Sequence, residues 1–555
     1  MTRTLFASTV EQPQVISRRP WPALLGLALV SEGLYLLLLL TLRPIAGLGL
    51  VPTPLPARQL WNGWDLAPPS SRVGAISLLL LLLLALAACY ALAAWRALAS
   101  GDPSGAGSLL GLVLGPSLLF GLTLLCLPTV FSDTAFASLF SGRLTALYGL
   151  APWRTAPPAL VSDPYWPWLT PLTRHSPLVY GPLWEWLCAL LALVPGASSP
   201  ALGLLLLKGL LLLAHLLNTL LIWSLLGRLG ASWRARFAGS LLYAWNPLAL
   251  LALAGDGHNE GLLLTLLLVA LWWLLRREEV RHSRGRALLA ESAGLVALGL
   301  ATALSSLALP LWPLLAGFSL WQRADTTGFG WGRLWAWVWR LLLPAVVVLI
   351  LALPLWRGAD SYRAIMAASG WSSFSRSPLA LLVPPLRWLY TPLAVLLDSP
   401  RHRQPAQPAE LTVKGGALFC FTLLFIWLLA RMPARLRSRL YDAPTSPAAP
   451  SLSALITACL LALGAWLLLL NFHFWPWYAL PVLGLAALRR WDALSWSALL
   501  FSLSALLSFG LLGIGSTLGL ALEGLLIFGP PLVYLTGAFF WRGRRAISEE
   551  AQSST

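Results

Sequence analysis

Asp133, Asp256, His258 and Glu260 are the side chains in this sequence best suited to moving a proton, and each sits at the edge of an apolar run. Asp133 follows one such run and opens a helix-like stretch, a place that suits a helix N-cap, a general base at a membrane surface, or both at once. The turn Gly255-Asp256-Gly257-His258-Asn259-Glu260-Gly261 concentrates three ionisable side chains where small neutral residues would suffice. Polar groups near a bilayer are costly, which argues for function; the plainer alternative is a solvated turn capped by Asn259, with Glu260 favouring the helix N-terminus. Lys208, one of two lysines in the chain, lies about two turns into an apolar run and shares a helix face with His215. It either snorkels to the outer surface or contacts a phosphate. Arg143, Arg154, Arg174 and His175 stand in one outer segment, where an arginine fork suits phosphate oxygens and ordinary headgroup contact serves equally as an explanation. No spacing of acids, histidines or cysteines matches a metal motif, so neither a metal nor a cofactor is expected. Gly328, Gly330 and Gly332 lack the strand and helix that a nucleotide fingerprint requires.

The elements that must position these groups are membrane spans. The 555 residues are 58% hydrophobic and 11% charged, with runs such as Leu78 to Leu84 that a soluble core of this size does not need. A net charge of +17 would suit nucleic acid if it lay along one soluble face. The arginines instead fall in short clusters between apolar segments, so lipid is the expected partner and nucleic acid is not.

Apolar runs at 22–42, 73–95, 108–128, 200–226, 237–255, 260–275, 287–304, 306–321, 335–355, 415–430, 451–471, 477–488, 493–510 and 517–540 predict an all-α polytopic bundle of about 14 spans. The basic clusters, among them Arg18 with Arg19, Arg276 to Arg286 and Arg542 to Arg545, then share one side, which makes both termini cytoplasmic. A further crossing at 183–196 would invert that pattern, so this segment reads as re-entrant or interfacial. The chain divides into a tail at 1–21, a transmembrane catalytic core at 22–355 with an outer loop at 129–199, an extracytoplasmic loop with interfacial segments at 356–414, C-terminal spans at 415–541 and a tail at 542–555. Within the outer loop, Phe136, Leu139, Phe140, Leu144, Leu147 and Tyr148 recur at three- and four-residue spacing and predict an amphipathic helix lying on the membrane. The five cysteines lie in or beside apolar runs and read as small hydrophobes, while most of the 30 tryptophans read as interfacial anchors.

Three stretches resemble the GT-C superfamily of membrane glycosyltransferases, in particular bacterial polyprenol-phosphate-mannose-dependent mannosyltransferases. Phe131-Ser132-Asp133, through Gly142-Arg143, to Gly149-Leu150-Ala151-Pro152-Trp153 is similar to that family's outer-loop pattern. Pro177-Leu178-Val179-Tyr180-Gly181-Pro182-Leu183 resembles its Tyr-Gly-Pro element. Trp245-Asn246-Pro247 followed by Gly257-His258-Asn259-Glu260 resembles its Asn-Pro helix and Gly-His-Asn-acid turn, with glutamate where aspartate is commoner. Trp475-Pro476-Trp477-Tyr478 is a weaker match, and Ser305 or Ser306 stands where relatives often have lysine. The resemblance implies an inverting hexosyl transfer, with mannose the expected sugar, from a polyprenyl phosphate to an extracytoplasmic glycan or glycolipid at the plasma membrane. Asp133 would be the base, and Glu260 and Asp256 would orient acceptor hydroxyls or Asp133 itself. His258, Arg143 and Lys208 would face the phosphate, and Tyr180, Trp477 and Tyr478 would shape the cleft. Asn259 and His175 complete the expected binding set. Two rival classes remain on the residues alone: a multi-span transporter or lipid flippase, which would place its charges at mid-membrane in broken helices, and a silent glycolipid-binding scaffold.

Overall fold

The computed structural model describes residues 21–45, 69–99, 106–127, 129, 131–154, 158–170, 173–174, 177–321, 331–368, 374–396, 406–441, 448–489, 491–509 and 517–553. These are helical nearly throughout; among them no strand forms, and one bridge joins Ser375 to His473. Among the described residues eight helices are long and apolar enough to cross a bilayer: Pro22–Thr41, Ser77–Ala99, Pro200–Arg228, Arg284–Leu304, Leu334–Leu355, Gln407–Met432, Leu452–Leu469 and Gly519–Trp541. Trp233–Ala244 and Pro247–Gly255 are together long and apolar enough for a further span, with a bend of 45° between them. The remaining expected spans are shorter apolar helices, Leu109–Leu125, Ser306–Phe318, Pro476–Ala487 and Ala493–Ser508, or, in Glu260–Glu279, a helix charged at both ends.

The helix Thr134–Ala146 differs from the expected surface helix. Ala135 to Leu144 are all buried, with Phe136 stacked on Trp168 at 4.6 Å and Trp184 Nε1 donating to Ser138 Oγ at 2.9 Å. The physical reason lies between the large apolar residues, where Ala135, Ala137, Ser138, Ser141 and Gly142 make a small-residue face that takes another helix rather than water. Gly142 is required there, because a Cβ would lie 2.2 Å from the Cys188 backbone in the helix Pro182–Ala192. That partner helix has 11 residues, roughly 16 Å of rise, too short for a hydrocarbon core of about 30 Å.

The bend in the broken span is built from sequence. Asn246 caps the second half by accepting from the Ala249 N–H at 3.1 Å, and its amide donates to Ser502 Oγ at 2.9 Å. Pro247 takes the first helical position, where its missing N–H costs nothing. The half-helix then widens into a π turn over Leu251–Gly255, and Gly257 (φ +84°) reverses the chain in a conformation that side chains resist. These irregularities deliver Asp256 and His258 to the start of the helix Thr134–Ala146.

Candidate active site

Asp133 occupies the N-cap position of its helix but makes no capping bond. Its carboxylate turns outward, and Oδ2 accepts from the Thr170 N–H at 3.0 Å and from Thr173 Oγ1 at 2.8 Å. Among the described residues Oδ1 has no hydrogen-bond partner. Of the two roles that the sequence allows Asp133, this geometry leaves the side-chain cap unfilled, in a half-buried residue.

The turn at 255–261 closes on the same place. Asp256 Oδ1 accepts from the Phe131 N–H at 3.1 Å, and Oδ2 accepts from Ser132 Oγ at 2.9 Å. His258 Nε2 lies 3.1 Å from Asp256 Oδ2 and 3.2 Å from Ser132 Oγ. Asp256 and His258 are fully buried, so together they set the backbone that carries Asp133. These bonds place residues 131–133 and 256–258 on one side of any membrane, with an even number of crossings between them. Pro200–Arg228 and the bent pair supply two.

An aromatic wall stands behind His258. Its ring stacks on Trp477 at 3.4 Å, Trp477 stacks on Trp475 at 4.9 Å, and Phe509 lies against both Trp477 and Phe131. Glu260 is buried at the start of its helix, its Oε2 without a hydrogen-bond partner among the described residues, and Tyr478 stands within electrostatic reach of it. Asn259 caps that helix without a side-chain bond and remains half-buried. Tyr180 shares the hollow: burial, and after it the Asp133 carboxylate, push its phenol up, so it stays a neutral hydrogen-bond donor. Gly181 is needed beside it, since a Cβ there would meet the Leu304 carbonyl at 2.3 Å.

Two expected phosphate contacts have other occupations. Lys208 donates to the carbonyls of Leu124, Leu125 and Leu127 at 3.0, 3.2 and 2.6 Å, closing the helix end that leads towards Asp133. An ammonium has three N–H donors, so none is left for a ligand, and the buried side chain does not snorkel either. Arg143 is buried against Asp163, with Nε–Oδ2 and Nη2–Oδ2 both 2.9 Å, and its guanidinium lies 5.0 Å over the Tyr165 ring. Arg174 donates to the Trp166 and Pro167 carbonyls, and Arg154 pairs with exposed Asp360. His175 lies outside the described residues.

Asp163, Thr170 and Thr173 are contributors that sequence reasoning missed. Asp163 also accepts from Tyr148 Oη and from the Tyr165 N–H, and so pins to the helix Thr134–Ala146 the loop whose later residues hold Asp133. One signal was available: the outer segment 129–199 contains three acids, and an arginine buried beside them needs one. Glu185, the third, is buried, accepts from Ser141 Oγ at 2.6 Å, and is pushed up by burial to about 8. Among the described residues no group of three possible metal ligands gathers.

A helical membrane protein with a positioned carboxylate, a histidine-acid pair and aromatic walls at one end of its bundle has the make-up of a membrane glycosyltransferase. Residues 38–321 match the family described as alpha-(1->6)-mannopyranosyltransferase, N-terminal domain, and the chain belongs to that family. It is therefore a membrane mannosyltransferase, working between a sugar donor and an acceptor, and the transporter and scaffold readings give way to an enzyme. No curated protein matches the chain.

Proposed function

We propose that the enzyme transfers mannose from a polyprenyl-phosphate mannose to a hydroxyl of an extracytoplasmic mannose-containing glycan or glycolipid, with inversion at the anomeric carbon. Asp133 Oδ1 takes the proton of the acceptor hydroxyl as that oxygen attacks the anomeric carbon. The bond from that carbon to the phosphate oxygen breaks, and polyprenyl phosphate leaves with the electron pair. Thr170 and Thr173 keep Oδ2 occupied, so the reacting lone pair is on Oδ1. Asp256 holds the loop, His258 faces the leaving phosphate, and Glu260 Oε2 accepts from an acceptor hydroxyl. Trp477, Tyr478 and Tyr180 exclude water, which raises the value of each electrostatic contact. The family's description favours the 6-hydroxyl of a mannose as the attacking group.

The observation that carries this reading is the Asp133 carboxylate, fixed through one oxygen and open at the other. An outward-facing site, with both termini cytoplasmic, follows from the basic clusters that lie on the opposite side of the predicted topology. A lipid donor fits because it presents its sugar at the membrane surface, where the carboxylates lie. The test uses purified enzyme with radiolabelled polyprenyl-phosphate mannose and a short mannose acceptor. Asp133→Asn is expected to lower kcat by about 10²–10⁴-fold while donor affinity is kept. An asparagine variant that transfers at the wild-type rate would remove Asp133 from the mechanism.

A further inference from the structure

The aromatic wall is held from behind by residues that lie outside the 38–321 match. Arg376 Nε donates to Glu523 Oε2 at 2.7 Å, and the guanidinium packs on the Trp475 ring at 4.4 Å. Trp475 is nearly parallel to Trp477 (8°), and Trp477 is nearly parallel to His258 (17°). The four side chains thus form one column, guanidinium, indole, indole, imidazole, and its last ring lies 3.2 Å from the Ser132 hydroxyl next to Asp133.

The backbone around Arg376 is fixed at some cost. Arg376 has φ +54°, and among the described residues it alone takes a positive φ without being glycine, a conformation that persists only where the surroundings enforce it. The enforcement is visible on both sides. The Ser375 N–H donates to the Phe472 carbonyl at 2.8 Å, and the Phe474 N–H donates to the Ser375 carbonyl at 3.0 Å. The helix Thr517–Ser553 backs onto the other face through Gly524, where a Cβ would lie 2.8 Å from the Arg376 carbonyl. A planar cation stacks on an indole in a way that an ammonium does not reproduce.

We propose that Arg376, clamped by Glu523, is a positioning residue for sugar transfer, setting the Trp475–Trp477 column against His258 and so fixing the wall that the donor sugar meets. This rests on the transfer reading above. Arg376 touches no reacting atom and acts through three rings.

Three variants and two readouts test it. Arg376→Lys keeps the charge and loses the planar stack; Glu523→Gln loosens the clamp; Arg376→Glu with Glu523→Arg restores an ion pair while leaving a carboxylate over Trp475. The first readout needs no substrate: the ring protons of His258, assigned in histidine-labelled protein with His258→Gln, are shifted upfield by Trp477 in the wild type. They are expected to move downfield in Arg376→Lys and in the charge swap. The second is transfer kinetics, where kcat should fall by up to about 100-fold with little change in acceptor KM, and the swap should recover thermal stability without recovering kcat. Full recovery of kcat by the swap would make the pair merely structural and overturn the proposal. Unmoved His258 signals would also overturn it. A wild-type protein that transfers nothing from the lipid donor, with the His258 shifts as expected, would instead sink the transfer reading and the catalytic weight of the column with it.

Discussion

Arg143→Met separates two accounts of the same arginine. Its guanidinium meets Asp163 through contacts of 2.9, 3.3 and 2.9 Å, and the two side chains are 6% and 0% exposed, so solvent screening does little to weaken the pair. Removing one partner leaves the Asp163 carboxylate enclosed with only the Tyr148 hydroxyl and the Tyr165 N–H, at a cost of about 3–5 kcal/mol. Adding Asp163→Asn removes the orphaned charge, keeps an amide oxygen for the Tyr165 N–H and lets the amide N–H donate to the Tyr148 oxygen, and the double variant should recover most of the loss. The coupling expected from the cycle is on the order of 3 kcal/mol. Thermal denaturation in detergent gives the stability arm, and transfer kinetics give the functional one. A double variant with restored stability should keep a donor KM near that of the wild type, because the arginine serves the loop and not the ligand. A stable double variant whose donor KM rises tenfold or more (about 1.4 kcal/mol) would refute this and return Arg143 to the phosphate.

Two more outcomes follow from buried charges. Burial pushes Glu185 from its usual 4.5 up to about 8, so the folded enzyme holds a proton that the unfolded chain releases. Its contribution is fully present below about pH 4.5 and is lost as pH rises towards 8, by about 1.4 kcal/mol per pH unit inside that window. Glu185→Gln should flatten the fall in melting temperature over that range, and a variant as pH-sensitive as the wild type would contradict the assignment. Lys208→Met takes the ammonium from three carbonyls, of which Leu124 keeps the Leu127 N–H while Leu125 and Leu127 lose this donor, and should cost about 1–3 kcal/mol, read by denaturation, with donor KM unchanged; unchanged stability with a raised donor KM would put the ammonium on the phosphate.

The membrane helices were legible because leucine-rich runs and basic clusters are local signals. Asp133 and the Asp256–His258 turn were also legible, because polar residues beside apolar runs are conspicuous. Partnerships across the fold were not. Thr170 and Thr173 carry no pattern, and nothing in one sequence links Arg376 to Glu523, 147 positions away. Lys208 was visible as an intramembrane cation, yet its three carbonyls belong to the end of another helix, and backbone acceptors have no letter in a sequence. The helix Thr134–Ala146 was misread for a related reason: apolar residues at three- and four-residue spacing describe one face, and whether the opposite face meets water depends on what packs there. Its alanines, serines and glycine held that information, as small residues at helix contacts do.

The bonds from Phe131 and Ser132 to Asp256, and the stack of His258 on Trp477, bear on how the enzyme is made. A nascent chain leaving the ribosome carries Asp133 early, but Asp256 and His258, which bond the residues before it, arrive after two further insertions, and the indole behind them only after much of the remaining bundle. Until translation has passed Glu523, the active chamber lacks its rear buttress. Partial translation products that include the whole matched segment would thus sit in the membrane as inert intermediates, unable to waste the donor sugar on water.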